Sequence, residues 1–477
     1  MSVQTGQKWL MVSLAAMLAA CASPPDLGPT SEPAPASDFT ATRSFAAPQA
    51  DWPSDHWWTA FGDAQLSALI EEALADSPSL VIASARVHQA QAIAQQSGAA
   101  LSPTLGAQSG ANATRQHLSA DNLPPDIANA LPNDWSTTSN AALKLDYQLD
   151  FFGRNRAAFA GATSHVKAAE AEAAEARLQL STSVALAYGE LLRLSADLDA
   201  AEHAAATRET SARLVQSRVA SGLENEGHAH QAASEAARAR AEVLAVRAAV
   251  LRARHQIAAL LGKGPDRGLA IAAPRQPGAL ALGLPASAQV DLIGRRPDLA
   301  AARFNAAAAA QHIRVARADF YPNINLSALV SYQTLGIDAI GGGQLSAAQA
   351  GPAVSLPIFT GGRLQGEYRG ARAQYDEAVA LYNQTLANAM REVADAYSDR
   401  AALEGQLAEQ RAALQDAEQS YRIARTRYEG GLASYIDTLS VENALIAQQR
   451  AVANLNAQAF ALDVTLVRAL GGGFIAS

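Results

Sequence analysis

The chain of 477 residues carries a single cysteine, Cys21. An intrachain disulfide and a cysteine-built metal site are therefore excluded. Of its 37 basic residues only Lys8, Lys144, Lys167 and Lys263 are lysine, and 45 acidic residues leave a formal net charge of −8. A phosphate backbone needs a basic face, so no nucleic-acid partner is expected. Only four methionines are present, so no methionine-based route for soft metals is apparent. The nine histidines are scattered, and His228 and His230, two apart on a helix, face apart. There is no His-Glu-x-x-His, no phosphate-cradling glycine loop with lysine, and no cysteine placed as a nucleophile. No catalytic residue, cofactor or metal site is expected, and the chain does not read as an enzyme.

The apolar run at residues 9–20, preceded by Lys8, is too short to cross a bilayer as an ordinary helix and reads as a signal peptide over 1–20. Its end, Leu18-Ala-Ala-Cys21, resembles a bacterial lipobox, in which Cys21 carries covalent lipid (palmitate included) and becomes the mature N-terminus. A free or buried thiol in an ordinary cleaved signal is the alternative. Residue 22 is alanine rather than aspartate, as in lipoproteins sent on to the outer membrane. Pro, Ser, Ala and Thr dominate from 23 to 50 without a period, so 21–52 is expected to be an extended, lipidated tether.

The rest of the chain is a duplication. Gly153-Arg154 recurs as Gly362-Arg363, Gly222-Leu223 as Gly431-Leu432, and Leu261-Gly262 as Leu470-Gly471, each 209 residues on. Upstream, Pro78-Ser-Leu80 matches Pro297-Asp-Leu299 and Pro103 matches Pro322, each 219 residues on. The first copy thus holds ten extra residues between Pro103 and Gly153. The two repeats are expected at 53–264 and 286–477, with a linker over 265–285.

Both copies follow one plan. Pro78 and Pro297 suit the first position of a helix that Pro103 and Pro322 stop. The period then changes to two. Leu143-Lys-Leu-Asp-Tyr-Gln-Leu-Asp-Phe151 alternates without a break, and Ile324 to Tyr332 alternates except at Leu329. Strands are expected at about 103–115, 141–152, 322–333 and 351–360, followed in each copy by a very long helix, a tip and a returning helix. The 66 residues from Arg363 to Tyr428 would span roughly 100 Å at 1.5 Å per residue, so the tip lies far from the strands. Strands apolar on one face and polar on the other suit a membrane barrel wall, and equally a soluble sheet with one wet face. Four strands cannot close a barrel, and an open edge cannot lie in lipid, so self-association would supply the rest; three copies give 12.

The tips at 221–227 and 429–435 hold Gly222 and Gly431, expected at positive φ where the chain reverses. Asp437 sits in the first turn of the returning helix, where the helix dipole favours a carboxylate. The matching residue of the first copy is His228. Glu224, Glu226 and Glu429 form a solvated rim that could also pair with basic residues of a partner.

Trp57-Trp58-x-x-Phe61, Asp150-Phe-Phe-Gly-Arg154, Leu292-Ile-Gly-Arg-Arg-Pro-Asp-Leu299, Ala316-Arg-Ala-Asp-Phe-Tyr-Pro322, Pro357-Ile-Phe-Thr-Gly-Gly-Arg363 and Tyr428 to Leu439, in this order and spacing, resemble the TolC-like outer-membrane efflux family, in its lipoprotein branch that works with resistance-nodulation-division (RND) pumps. The resemblance spans about residues 52–471. It implies a mainly α fold with a membrane β-barrel portion: a homotrimer with a 12-stranded barrel in the outer membrane and an α-helical barrel in the periplasm, with 265–285 in its equatorial region. It implies a passive exit duct for small toxic compounds. A periplasmic adaptor and an inner-membrane pump would dock on Gly222, Leu223, Gly430, Gly431 and Leu432, with Asp437 and Tyr435 at the periplasmic gate, three Asp437 carboxylates making a cation-selective ring. Members often carry a second carboxylate where this chain has Ser440, so a double acidic ring is not implied here. The alternatives are an exit duct of a type I protein-secretion system, which the lipobox and Arg295-Arg-Pro-Asp298 disfavour, and a lipid-anchored, non-conducting helical scaffold, which the period-two hairpins disfavour.

Overall fold

Helix ends in this chain are set by proline and glycine, and the two copies use them at matching places. A computed structural model describes residues 23–115, 124, 135–274, 278, 280, 283–335 and 345–476; Cys21 and the segment 1–20 lie outside the described residues. A short α1 (Ala64–Asp76) is followed by α2 (Pro78–Ala99), β1 (Thr104–Arg115), β2 (Trp135–Leu149), α3 (Arg154–Ala220) and α4 (Glu226–Leu260). After the small helices α5 (Pro265–Leu269) and α6 (Ala288–Arg295) come α7 (Pro297–Ala318), β3 (Asn323–Leu335), β4 (Leu345–Ser355), α8 (Arg363–Glu429) and α9 (Tyr435–Ala469). The helices pair across the copies to the residue: α2 and α7 have 22 residues each, α3 and α8 have 67, α4 and α9 have 35.

The chain divides into two units. One comprises Met1–Glu32, His88–Lys167 and Phe304–Ala380, and it contains the sheet. The sheet is antiparallel throughout in the order β1-β2-β3-β4, so the second strand of copy one pairs with the first of copy two, Leu145 opposite Ala328. Two strand positions depart from the sequence reading. β2 starts at Trp135 and stops at Leu149, not 141–152, because Asp150 turns out of the sheet to accept from the Asn155 and Arg156 N–H groups at the start of α3. β4 runs Leu345–Ser355 rather than 351–360. Its stretch Ser346-Ala-Ala-Gln349 is too small and polar to show an alternation of apolar residues, yet it pairs with β3 from Tyr332 to Leu329.

The other unit comprises Pro33–Val87, Ala168–Arg303 and Leu381–Ser477. One of its cores gathers Trp57, Trp58 and Phe61, α1 residues Leu66, Leu69 and Ile70, and Tyr188, Ile257 and Phe460 from α3, α4 and α9. Asp63 caps α1 through the Leu66 N–H (3.0 Å) and also accepts from the Tyr188 hydroxyl (2.7 Å). A second core holds Leu292, Leu299, Leu386, Val393 and Leu470. Ala36 is buried in it, with Phe39, Phe45 and Trp52 packed alongside. The expected tether is therefore not free along its length: its irregularly spaced apolar side chains find a core, and Pro48 and Ala50 exchange backbone hydrogen bonds with Leu284. Arg296, in the Arg-Arg-Pro-Asp stretch, is buried and ion-paired to Asp298 (2.7 Å) and Glu392 (2.8 Å), while donating to the Ala469 carbonyl (3.1 Å). No helix among the described residues is long and apolar enough to cross a membrane.

Candidate functional site

Two regions carry the features that a transport function would use, the sheet and the helical tips. In the sheet, cross-strand partners share a face. Leu105 pairs with Leu145, Leu143 with Val330, Tyr147 with Leu326, and Ile324 with both Leu149 and Val354. One face is thus apolar across all four strands. The opposite face carries Gln108, Asn112, Asn140, Gln148, Asn325 and Gln333, with Lys144 and Asp146 ion-paired at 3.0 Å. Among the described residues the apolar face is exposed: Leu105 is 71% exposed, Leu143 51%, Val330 59% and Val354 65%. A soluble sheet buries this face against its core, whereas a wall in lipid leaves it outward. Phe151, Phe152 and Phe359, just beyond strand ends, are exposed as well, and so is Trp135 at the far end of β2.

The tips are two copies of one backbone. After α3 the Gly222 N–H bonds to the Val219 carbonyl and the Leu223 N–H to that of Arg218; after α8 Gly431 bonds to Tyr428 and Leu432 to Arg427. This is the double hydrogen bond of a Schellman C-cap, which needs a left-handed residue at its centre. Gly222 at φ +73° and Gly431 at φ +74° supply it. Three residues later an N-cap opens the returning helix in each: Asn225 accepts from the His228 N–H, Ser434 from the Asp437 N–H. Leu223, Leu432 and Ile436 are left exposed at the turns.

Beyond the backbone the tips differ. Asp437 completes a capping box, its carboxylate accepting from the Ser434 N–H (3.2 Å) and hydroxyl (2.7 Å). These bonds hold its carboxyl below the usual carboxylate range, so it is ionised at neutral pH. Tyr435, two residues before, faces elsewhere. It is buried with Tyr428, Leu439, Val215 and Ala232 in a small core behind the turns, and burial pushes its hydroxyl up to about 12. Asp437 is thus at the surface and Tyr435 is not. At the first tip His228 meets Glu224 through Nδ1 at 2.8 Å, and this hydrogen bond lowers the Glu224 pKa.

Sequence reasoning missed what ties the two hairpins together behind the tips. Arg218 of the first lies over the ring of Tyr428 of the second, 4.9 Å from its centroid. Arg208 pairs with Glu235 at 2.7 Å, contacts Asn443, and lies 3.7 Å from the buried Glu442, whose other oxygen accepts from Ser211 (3.3 Å). Burial raises the Glu442 pKa. A signal existed: Tyr435, Leu439 and Glu442 lie at i, i+4 and i+7, one face of α9.

The sequence profile of the family described as "Outer membrane efflux protein" matches the chain twice, over residues 69–263 and 290–472. The chain belongs to the outer membrane efflux protein family. It is similar to the fusaric acid resistance protein FusA of Burkholderia cepacia, 36% identical over 76% of this chain and 68% of that protein. It is 31% identical to the pyoverdine export outer membrane protein OpmQ of Pseudomonas aeruginosa, over 97% of this chain and 96% of that one. Among solved structures it resembles the outer membrane protein VceC of Vibrio cholerae, with a TM-score of 0.80 and 43% identity, covering 89% of this chain and 100% of that chain. This efflux protein is an outer-membrane channel with a long helical periplasmic part, from a family of channels rather than enzymes. Among the described residues, no cluster of three or more His, Cys, Asp or Glu could hold a metal ion.

Proposed function

We propose that three copies of the chain join their sheets into a 12-stranded barrel and serve as the exit duct of a tripartite RND-type efflux pump. The observation that carries this is a four-stranded sheet with an exposed apolar face, in which β1 and β4 are the terminal strands of the order. Open edges are unfavourable in lipid, and closure with further copies removes them. With the apolar face outward, the face bearing Lys144, Asp146 and the amides lines a wet lumen. Transport is passive. The similarity to proteins named for fusaric acid resistance, pyoverdine export and toluene efflux supports small compounds as cargo.

In this reading the repeats span 53–264 and 286–477, and lipid on Cys21 anchors the mature N-terminus. The periplasmic adaptor docks on the crown of turns at Gly222, Leu223, Gly430, Gly431 and Leu432, where Leu223 and Leu432 offer exposed apolar contacts, and the inner-membrane pump lies behind it. Asp437, ionised and exposed, supplies one carboxylate per protomer to the gate. Tyr435 acts from behind it, through the packing of the tip. Single-channel recording in planar bilayers tests the reading. Conductance is expected, rising in Asp437→Ala; a purified protein that never conducts, even with this substitution, overturns it. Cysteine scanning along β1 and β4 adds an independent check, since the one native cysteine, Cys21, is capped by its lipid in this reading, and oxidation is expected to yield covalent trimers.

A further inference from the structure

A cavity of about 670 Å³ lies between the start of α3 and the end of α7, and the transport reading does not use it. Its wall includes Phe152, Arg156, Gln311, Arg314, Arg317 and Tyr321, and no carboxylate among the described residues lines it. Arg314 and Arg317 are three apart on α7 and so share a face, and both are exposed. Arg156 is already engaged by Asp150, at 3.2 Å, and Arg314 only reaches the Gln311 carboxamide at 3.4 Å. The Arg317 side chain makes no ion pair or hydrogen bond with a described residue. Next to it, Asp319 is matched by Arg154 at 2.6 Å. The positive charge of the cavity is therefore in excess, and it is concentrated on α7.

The position in the chain says what could answer that charge. β2 ends at Leu149 and β3 begins at Asn323, so Phe152 and Tyr321 stand two or three residues beyond the sheet. Their rings stack, 4.8 Å apart and 12° from parallel. Aromatic rings at strand ends mark the interface of a membrane barrel, and lipid phosphates lie just beyond such rings. Guanidinium groups bind phosphate oxygens in pairs.

We propose that this cavity holds the phosphate of an anionic phospholipid headgroup from the periplasmic leaflet, gripped by Arg314 and Arg317 with Arg156 behind them. The proposal rests on the sheet being the membrane wall. The chemistry is that of a phosphate ester, which a free anion could imitate, so the test separates the two. The full-length protein in detergent is examined by native mass spectrometry with phosphatidylglycerol, with phosphatidylethanolamine, and with phosphatidylglycerol plus excess inorganic phosphate. Phosphatidylglycerol is expected to be retained in preference, to resist inorganic phosphate, and to be held about tenfold more weakly by the Arg314→Gln/Arg317→Gln variant. Equal retention by the variant overturns the proposal, and displacement by inorganic phosphate overturns the lipid as its occupant. Conductance of the variant is measured alongside and is expected to match the unsubstituted protein. A conducting channel with unselective lipid retention removes the headgroup site alone, while a protein that never conducts, even with Asp437→Ala, removes the wall on which it stands.

Discussion

The two tips share a backbone and differ in what fills it. Each ends a 67-residue helix with the same pair of hydrogen bonds around a left-handed glycine and restarts at an N-cap three residues on. At positions 209 apart, however, Tyr428 answers Val219, Tyr435 answers Glu226, Leu439 answers His230 and Glu442 answers Ala233. The second copy supplies the aromatic rings and the buried Glu442, and the first offers Val215 and Ala232 as a wall and Arg208 as the facing cation. Local turn chemistry thus repeats with the duplication, whereas the packing load behind the turns falls on one copy.

This asymmetry can be broken most severely at Tyr435. Tyr435→Ala is expected to lower the local opening free energy of the tip by about 4 kcal/mol, the cost of deleting a buried aromatic ring, while Glu226→Ala stays within about 0.5 kcal/mol. Hydrogen-exchange mass spectrometry of peptides covering both tips reads the two side by side. Arg208→Ala removes the cation shared by Glu235 of one copy and the buried Glu442 of the other, and should cost about 3 kcal/mol by the same measurement. Gly222→Ala and Gly431→Ala sharpen the likeness instead. A Cβ would meet nothing within 4 Å at either, so each should cost only the left-handed penalty, about 1–2 kcal/mol, and the two should agree. Ser434→Ala should cost about 1 kcal/mol, and more than Asn225→Ala, because Ser434 also holds the Asp437 carboxylate.

Acid separates the tips from the core behind them. Asp437 and Glu224 have lowered pKa values, so what they contribute is present above the ordinary carboxylate range and lost as pH falls through their folded pKa. Glu442 is raised by burial. Its contribution is fully present below the unfolded carboxylate pKa and lost as pH rises through its folded one. Exchange ratios of variant to unsubstituted protein, taken at each pH, should converge at the acid end for Asp437→Asn and Glu224→Gln. For Glu442→Gln they should converge at the acid end too, with the variant better protected as pH rises.

Much of this architecture was legible because its signals are local. Proline at the first helical position, glycine at the helix end and a fixed repeat distance need no knowledge of the fold, and the helices they bound have equal lengths in the two copies. The strands were less legible where they are built from small residues: Ser346 to Gln349 pair by backbone alone, which leaves no trace in side-chain period. The packing of Phe39, Phe45 and Trp52 depends on partners hundreds of residues away, and so does the Arg208–Glu442 approach. At the tips, Gly222, Gly431 and the cap positions could be read directly. That Tyr435 turns inward while Asp437 stays outside could not be read from either residue alone. It follows from the α9 face shared with Leu439 and Glu442.

The equal lengths of the paired helices have a practical meaning for anyone altering the chain. One residue added to α3 alone would advance its tip by about 1.5 Å and swing it by about 100°. Val215 would then no longer meet the core that Tyr428 and Tyr435 form. An insertion is tolerable there only if α8 receives the same one, and the returning helices must follow. From the start of α2 to the end of α4, against the start of α7 to the end of α9, the copies differ by ten residues, and that difference falls entirely between Ala99 and Arg154, against Ala318 and Arg363, in the segments that hold the strands. Those segments are the place to graft an epitope or a tag, and the helical hairpins are rulers that must be cut in pairs.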